Sequence, residues 1–412
     1  MQRVSLLWTL AYSAARVGVG IHDAFFNAAA GFFLASYGLP NWAIGFLANE
    51  RSFLGSLLQP VAGALSDRIR TPMGRRKPFL LLAAPVVLGF LILMGRPDTW
   101  LMVLIFILGP LFVGLAVTAY EVLLPDSVVP EQRGTVNGVA RAMGFVGGMG
   151  LLLVAFRFWQ QRPEAVFLLV ALSLAAGFLL TGLAIREPTP PAEPSSEPGT
   201  RNPEPETRNY LRGLLALREA TKYVASYFLF WFGIGGITPF ITRFGAEELG
   251  IPQNETFLLL LAVFVTTLLA AAPAGWLGDR HGKKLVTSWG LLAFALLIVV
   301  GSQVQSKEQA LLVLALAGFA QAVPTVLAYP LFTELVPSRR MGELTGFSAM
   351  LWSLAQPLGA TAFGALADVT GTLRTVLLGG GLALLASWLV LQTVRTAPVG
   401  SADLPAAAAR DV

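Results

Sequence analysis

The sequence predicts an all-α membrane protein with twelve transmembrane helices in two six-helix bundles. Three observations carry that prediction. Of 412 residues, 55% are hydrophobic and only 13% are charged, about half the charge of a typical soluble domain, and the mean hydropathy is +0.66. So little charge cannot keep a soluble surface dispersed, and a disordered chain would require low hydrophobicity instead. Apolar runs of about 20 residues, the length that crosses a hydrocarbon core, recur twelve times. They form two sets of six on either side of a stretch that cannot pack.

The first run, 5–36, follows the N-terminus directly and has no small-residue cleavage site, so it reads as a retained span. The others lie at 42–65, 78–95, 99–122, 136–157 and 164–185, then at 222–245, 255–277, 285–303, 308–332, 344–367 and 373–395. Between the sixth and seventh lies REPTPPAEPSSEPGTRNPEPETRN, Arg186 to Asn209, too rich in Pro, Glu and Ser to form a core. Residues 210–220 read as a short helix on the membrane surface. The expected organisation is thus an N-terminal six-helix bundle (1–185), a cytoplasmic Pro/Glu-rich linker (186–221), a C-terminal six-helix bundle (222–396) and a cytoplasmic tail (397–412).

The basic residues set an orientation. With the linker inside, the inner loops hold clusters such as Arg75, Arg76 and Lys77, or Arg280, Lys283 and Lys284. The outer loops hold only Arg96, Arg157, Arg162, Arg243, Lys307 and Arg374. Lys and Arg concentrate on the cytoplasmic side of membrane proteins, which puts both termini inside a multi-pass protein of the cytoplasmic (inner) membrane. The formal net charge of +5 is dispersed over these loops, so it does not indicate nucleic acid. Without Cys and with two His, the chain has no disulfide framework, thiolate chemistry or His-rich metal site.

The halves repeat each other. After the second run comes GALSDRIRTPMGRRKP, with Gly63, Asp67, Arg68, Arg75 and Arg76; after the eighth comes GWLGDRHGKK, with Gly275, Asp279, Arg280, Lys283 and Lys284. Further on, Tyr120, Asp126, Gly134 and Gly138 match Tyr329, Glu334, Gly342 and Gly346, the acid preceding the glycines by eight and twelve residues in both. These doubled motifs resemble the signature of the major facilitator superfamily of secondary transporters over nearly the whole chain. QPVAGALSDRIRTPMGRRKPF, Gln59 to Phe79, more narrowly resembles the sucrose transporters and the glycoside–pentoside–hexuronide:cation symporters; the bacteriochlorophyll-assembly branch is a more distant match. The residue types suggest a cytoplasmic gate of Gly63, Asp67, Arg68, Arg75, Arg76, Asp126, Gly275, Asp279, Arg280, Lys283 and Glu334. Asp67 and Asp279 would meet helix starts of the opposite half, near Glu343 and Val136, where unpaired N–H groups favour a carboxylate. Anchoring by positive charge alone accounts for the basic residues but not for the two Asp.

An ionisable residue at membrane depth is costly and is a functional hypothesis by default. Helical spacing puts Arg16, Asp23 and Asn27 on one face of the first span with Tyr12. Asn49, Glu50 and Arg51 stand midway along the second span, and Arg141 lies in the fifth. Asp23 is the first choice for a proton carrier and Glu50 the second, beside Arg16 or Arg51. A static ion pair is the plainer alternative. His22 could tune Asp23, and Glu121 reads as interfacial. The second half has no Lys, Arg, Asp or Glu in the middle of its spans but carries aromatic and amide stripes: Tyr227, Trp231 and Thr238; Gln321, Thr325 and Tyr329; Ser348, Trp352 and Gln356. With Asn27, Asn49 and Arg141 these are candidate substrate contacts, since rings stack on sugars and amides bond their hydroxyls; helix packing is the alternative.

The expected function is proton-coupled symport of a sugar or glycoside by alternating access between the bundles. The expected partners are an uncharged sugar, protons (sodium being the alternative ion) and the lipid bilayer, with no cofactor and no metal, in a monomer. An exporter of drugs, lipids or other amphiphiles, or a non-transporting pigment or assembly factor of the same fold, are the alternatives. No phosphate-cradling G-x-x-x-x-G-K-[ST], H-E-x-x-H or Cys nucleophile suggests an enzyme.

Overall fold

The computed structural model describes residues 3–49, 76–185, 217–336 and 341–396, without the side chains of 341–343 and 347. The helices of the first half are α1 (Leu6–Ala28), α2 (Ala30–Ala35), α3 (Asn41–Leu47), α4 (Lys77–Leu80), α5 (Ala83–Met94), α6 (Thr99–Ser127), α7 (Pro130–Phe158) and α8 (Glu164–Ala184). Those of the second are α9 (Arg218–Ile237), α10 (Ile241–Glu247), α11 (Gln253–His281), α12 (Lys283–Gly301), α13 (Lys307–Thr333), α14 (Met341–Thr370) and α15 (Arg374–Gln392). A 3₁₀ turn, Thr238–Phe240, joins α9 to α10 and interrupts the α-helix of the seventh span. The fourth span is longer than the apolar run suggests. Its helix reaches Ser127 and so takes in Asp126. The seventh begins at Arg218, inside the stretch read as a surface helix.

The ends of these helices follow from local chemistry. Ser5 caps α1, Asp98 accepts from the Trp100 and Leu101 N–H groups to cap α6, and Ser306 caps α13. Each satisfies donors that the first helical turn leaves unpaired. Gly282 turns α11 into α12 at φ 91°, a backbone conformation that glycine adopts without penalty. Leu183, Val369, Trp100 and Trp289 are among many large apolar side chains left exposed on the outside, as helices facing lipid require.

Within the first half α1 is central, packing on α7 and α8. The α1–α7 approach is backbone on backbone, because a Cβ at Gly20 would overlap the Gly144 carbonyl, the close packing that small residues permit in membranes. Thr181 ties α8 to α1 by donating to the Ala11 carbonyl at 2.9 Å and accepting from the Ala15 N–H at 3.1 Å. In the second half α9 packs on α14 and α15, and α13 on α11 and α12. The halves meet where α7 packs on α11 and α3 on α14.

The two ends of the molecule differ. At the end remote from the linker the halves are cross-tied. The Asp368 carboxylate accepts from the Asn41 N–H (2.8 Å) and the Trp42 N–H (2.9 Å), Arg243 donates to the Asn41 side chain (2.7 Å), and Thr242 donates to the Ala28 carbonyl (2.7 Å). At the linker end, Arg76–Asp126 closes within the first half and Lys283–Glu334 within the second. A Cβ at Gly134, Gly138 or Gly346 would meet no described atom within 4 Å there.

Candidate functional site

A cavity of about 220 Å³ lies at mid-depth between the halves. Asn27 of α1 and Phe145 of α7 wall it from the first half; Trp231, Thr238, Thr267, Gln321, Thr325 and Gln356 supply most of the polar groups from the second. Ile234, Ile237, Ile241, Leu260, Phe264 and Phe294 complete an apolar wall, and no Asp, Glu, Lys, Arg or His stands among the described lining residues. Thr238 of the 3₁₀ turn and Ile241 just after it both line this space. Phe145 meets Phe264 across the gap with ring centroids 5.9 Å apart.

Six of the expected substrate contacts therefore share one cavity: Asn27, Trp231, Thr238, Gln321, Thr325 and Gln356. Others are placed differently. Tyr227 is not a cavity residue. It is fully buried, its hydroxyl donates to the Pro324 carbonyl at 2.5 Å, and its ring leans on Tyr223 and Trp352. Trp352 belongs to the same stack and donates to the Val224 carbonyl at 3.3 Å. Both fill the seam between α9, α13 and α14, where a hydroxyl or indole N–H must find an acceptor. Tyr329 is exposed one turn beyond Thr325 towards the linker end, outside the cavity lining. Asn49 is buried just past the end of α3. Helical spacing alone cannot tell a seam from a cavity, since both are interior faces.

The charged face of α1 is also rearranged. Asp23 is one-third exposed and its Oδ1 lies 3.2 Å from His22 Nδ1. Arg16 is not Asp23's ion-pair partner; its Nη1 lies 3.7 Å from Glu121 Oε1. Two turns of helix separate Arg16 from Asp23, about 10 Å of rise, and α6 brings Glu121 alongside Arg16 instead. Tyr12, expected on the polar face, is buried and stacks on Tyr120 with centroids 4.4 Å apart. Arg141 is exposed on α7 one turn towards the linker end from Phe145. Glu121 was legible only as a neighbour of the repeated Tyr120. Asp368 and Arg243, which tie the remote end, had no motif to mark them.

Of the gate residues, Arg76 Nε lies 3.4 Å from Asp126 Oδ2 and Lys283 donates to Glu334 at 2.5 Å. Asp279 is exposed, and Arg280 stacks its guanidinium over the Trp276 ring at 5.3 Å. Gly275 faces Val326 at contact distance. Glu50, Arg51, Gly63, Asp67, Arg68 and Arg75 lie outside the described residues.

The model of the Major Facilitator Superfamily matches residues 9–264 and 223–410. Among curated proteins, the chain is 25% identical to the proton-associated sugar transporter A of Homo sapiens, over 52% of this chain and 35% of that protein. It is 26% identical to the multidrug resistance protein MdtG of Escherichia coli, over 73% of this chain and 75% of that protein. Among solved structures, that of a mutant form of the nucleoside transporter NupG superposes with a TM-score of 0.77 at 11% identity, over 94% of this chain and 99% of that one. That last likeness is one of fold alone.

Proposed function

The chain belongs to the Major Facilitator Superfamily of membrane transporters, and on that premise we propose that it carries a sugar or glycoside together with a proton, by alternating access between its two bundles. The observation that carries this reading is the cavity wall. Amides, hydroxyls and one indole face a space without a charged group, and Asn27 sits one helical turn from Asp23 on α1. Amides and hydroxyls bond sugar hydroxyls, the indole offers a flat apolar face, and no fixed charge has to be neutralised by the cargo. Asp23, outside that wall yet one-third exposed, is the proton carrier; Arg16, paired to Glu121, keeps positive charge on the same path. The proton-associated sugar transporter among the relatives supports the pairing of these two cargoes.

In this reading the linker end is cytoplasmic, as the loop charges suggest, and the structure corresponds to a state open to that side. Closing it would bring Asp279 and Asp67 to helix starts of the opposite half, with Arg68, Arg75, Arg76, Arg280 and Lys283 at the seam. Opening the other side would release Asp368 from α3.

The test is proton movement in proteoliposomes holding a pH-sensitive dye. A panel of glycosides and monosaccharides is added outside at neutral pH. One sugar should acidify the vesicle lumen, and Asp23→Asn should abolish that signal while leaving sugar exchange intact. Silence across the panel, with and without sodium, overturns the sugar reading. The apolar wall of Ile234, Ile237, Ile241, Leu260 and Phe294 favours a second reading, export of an amphiphile. MdtG among the relatives gives it support. Proton release from the vesicles on addition of lipophilic cations instead of sugars would establish it.

A further inference from the structure

His22 has no part in the cycle just described, yet its surroundings are unusual. The side chain is fully buried. Nδ1 faces Asp23 Oδ1 at 3.2 Å, while Nε2 has no hydrogen-bond partner among the described residues. The ring lies among phenyl rings, 4.7 Å from Phe26 and edge-on to Phe90 at 6.0 Å. For packing alone, a third Phe would serve better, because a buried polar nitrogen without a partner is destabilising. An imidazole is useful there only if its protonation is used.

The charged groups around it are few. On its own helix these are Asp23 and, two turns away, Arg16. The helix carrying Phe90, Ala83–Met94, holds no ionisable side chain. On α6, Phe106 packs on Phe26, and Glu121 and Asp126 lie at least 15 residues further along, about 22 Å by helical rise. On α8, Phe167 packs on Phe25 and Phe90, and Glu164 is exposed at the remote end. Arg141 belongs to α7, which covers the other side of α1 at Val17, Gly20 and Ala24. Among the described residues, Asp23 is therefore the one charged group in contact with the imidazole.

Resting on the proton-carrier reading of Asp23, we propose that the transported proton is held jointly by His22 and Asp23, in the bond between Nδ1 and Oδ1. Loaded, the pair is neutral: carboxyl O–H to imidazole nitrogen, or imidazolium to carboxylate, with the second imidazole hydrogen on Nε2 among the rings. Unloading passes one proton from Oδ1 to water through the exposed side of Asp23. The pair then carries one negative charge, with the remaining imidazole hydrogen on Nδ1 donating to the carboxylate, so proton loss places a charge on Asp23 one helical turn from Asn27. His22 acts as a positioning residue, through Asp23.

The chain contains two His, His22 and His281, so ¹⁵N-histidine labelling of the His281→Gln protein in lipid nanodiscs leaves a single imidazole to observe. Between about pH 4 and pH 9, the range that brackets an imidazole, Nδ1 of His22 should titrate. In Asp23→Asn the pH response of Nδ1 should differ from that of the parent, because the carboxylate that shares its proton is gone. A resonance that stays constant across that range, or an unchanged response in Asp23→Asn, overturns the proposal. The proteoliposome assay separates the two failures. Uphill transport surviving in Asp23→Asn removes the carrier reading itself; transport lost in Asp23→Asn with a silent His22 removes only the shared proton.

Discussion

At the scale of single residues, the cavity and the seam beside it make opposite demands on similar side chains. Gln356 faces the cavity, so Gln356→Ala should weaken substrate binding about five-fold, the loss of one hydrogen bond, with folding unaffected. Tyr227 holds the Pro324 carbonyl inside the seam. Tyr227→Phe should leave substrate affinity unchanged and lower stability by about 1 kcal/mol; equilibrium binding and thermal unfolding of the two variants check the pair. The sequence made the residue types legible but not this division. Trp231 and Tyr227 sit one turn apart on α9 and read alike in a stripe, and only the packing of α9 against α13 and α14 decides which of them meets open space. The end of α6 was hidden for a similar reason. An apolar run ends at a charge on paper, whereas a helix ends where its hydrogen bonds do.

At the scale of elements, the two ends of the bundle are held by different means. Asp368 supplies acceptors to the first two N–H groups of α3, which Pro40 cannot cap with a side chain. Asp368→Ala should shift the balance away from the state seen here by about 1–2 kcal/mol, five- to thirty-fold in population. Since the chain has no Cys of its own, spin labels on introduced cysteines at both ends would measure that shift as a longer distance across the Asp368 end. The glycines at the other end make a complementary prediction. A Cβ at Gly138 or Gly346 meets no described atom within 4 Å in this state, so a Leu is tolerated there. Either variant should therefore fold with an unfolding temperature within about 2 °C of the parent yet lose transport at least ten-fold, because the halves could no longer close there. A variant transporting at the normal rate would show that these faces never meet. The spans that the structure describes were legible almost throughout, since hydrocarbon thickness fixes their length whatever the fold. The broken seventh span was not legible, because a 3₁₀ turn at Thr238–Phe240 costs no hydropathy.

For the whole molecule, the internal repeat was the most informative feature of the sequence. Matched glycines and acids in both halves imply two bundles of one ancestry, and the structure leaves Gly138 and Gly346 alike on open faces at the linker end. It does not repeat the chemistry. The first half carries ionisable groups on α1 and the second carries the uncharged wall, a division visible already in where Asp23 and Gln321 fall. One consequence concerns energetics. If the cargo of that wall is neutral and enters with one proton, each cycle moves one net positive charge through the membrane. The electrical potential then works on the transporter as well as the pH difference does, at about 2.3 kcal/mol per 100 mV, enough for a roughly forty-fold solute gradient with equal pH on both sides. A valinomycin-imposed voltage alone should fill the vesicles.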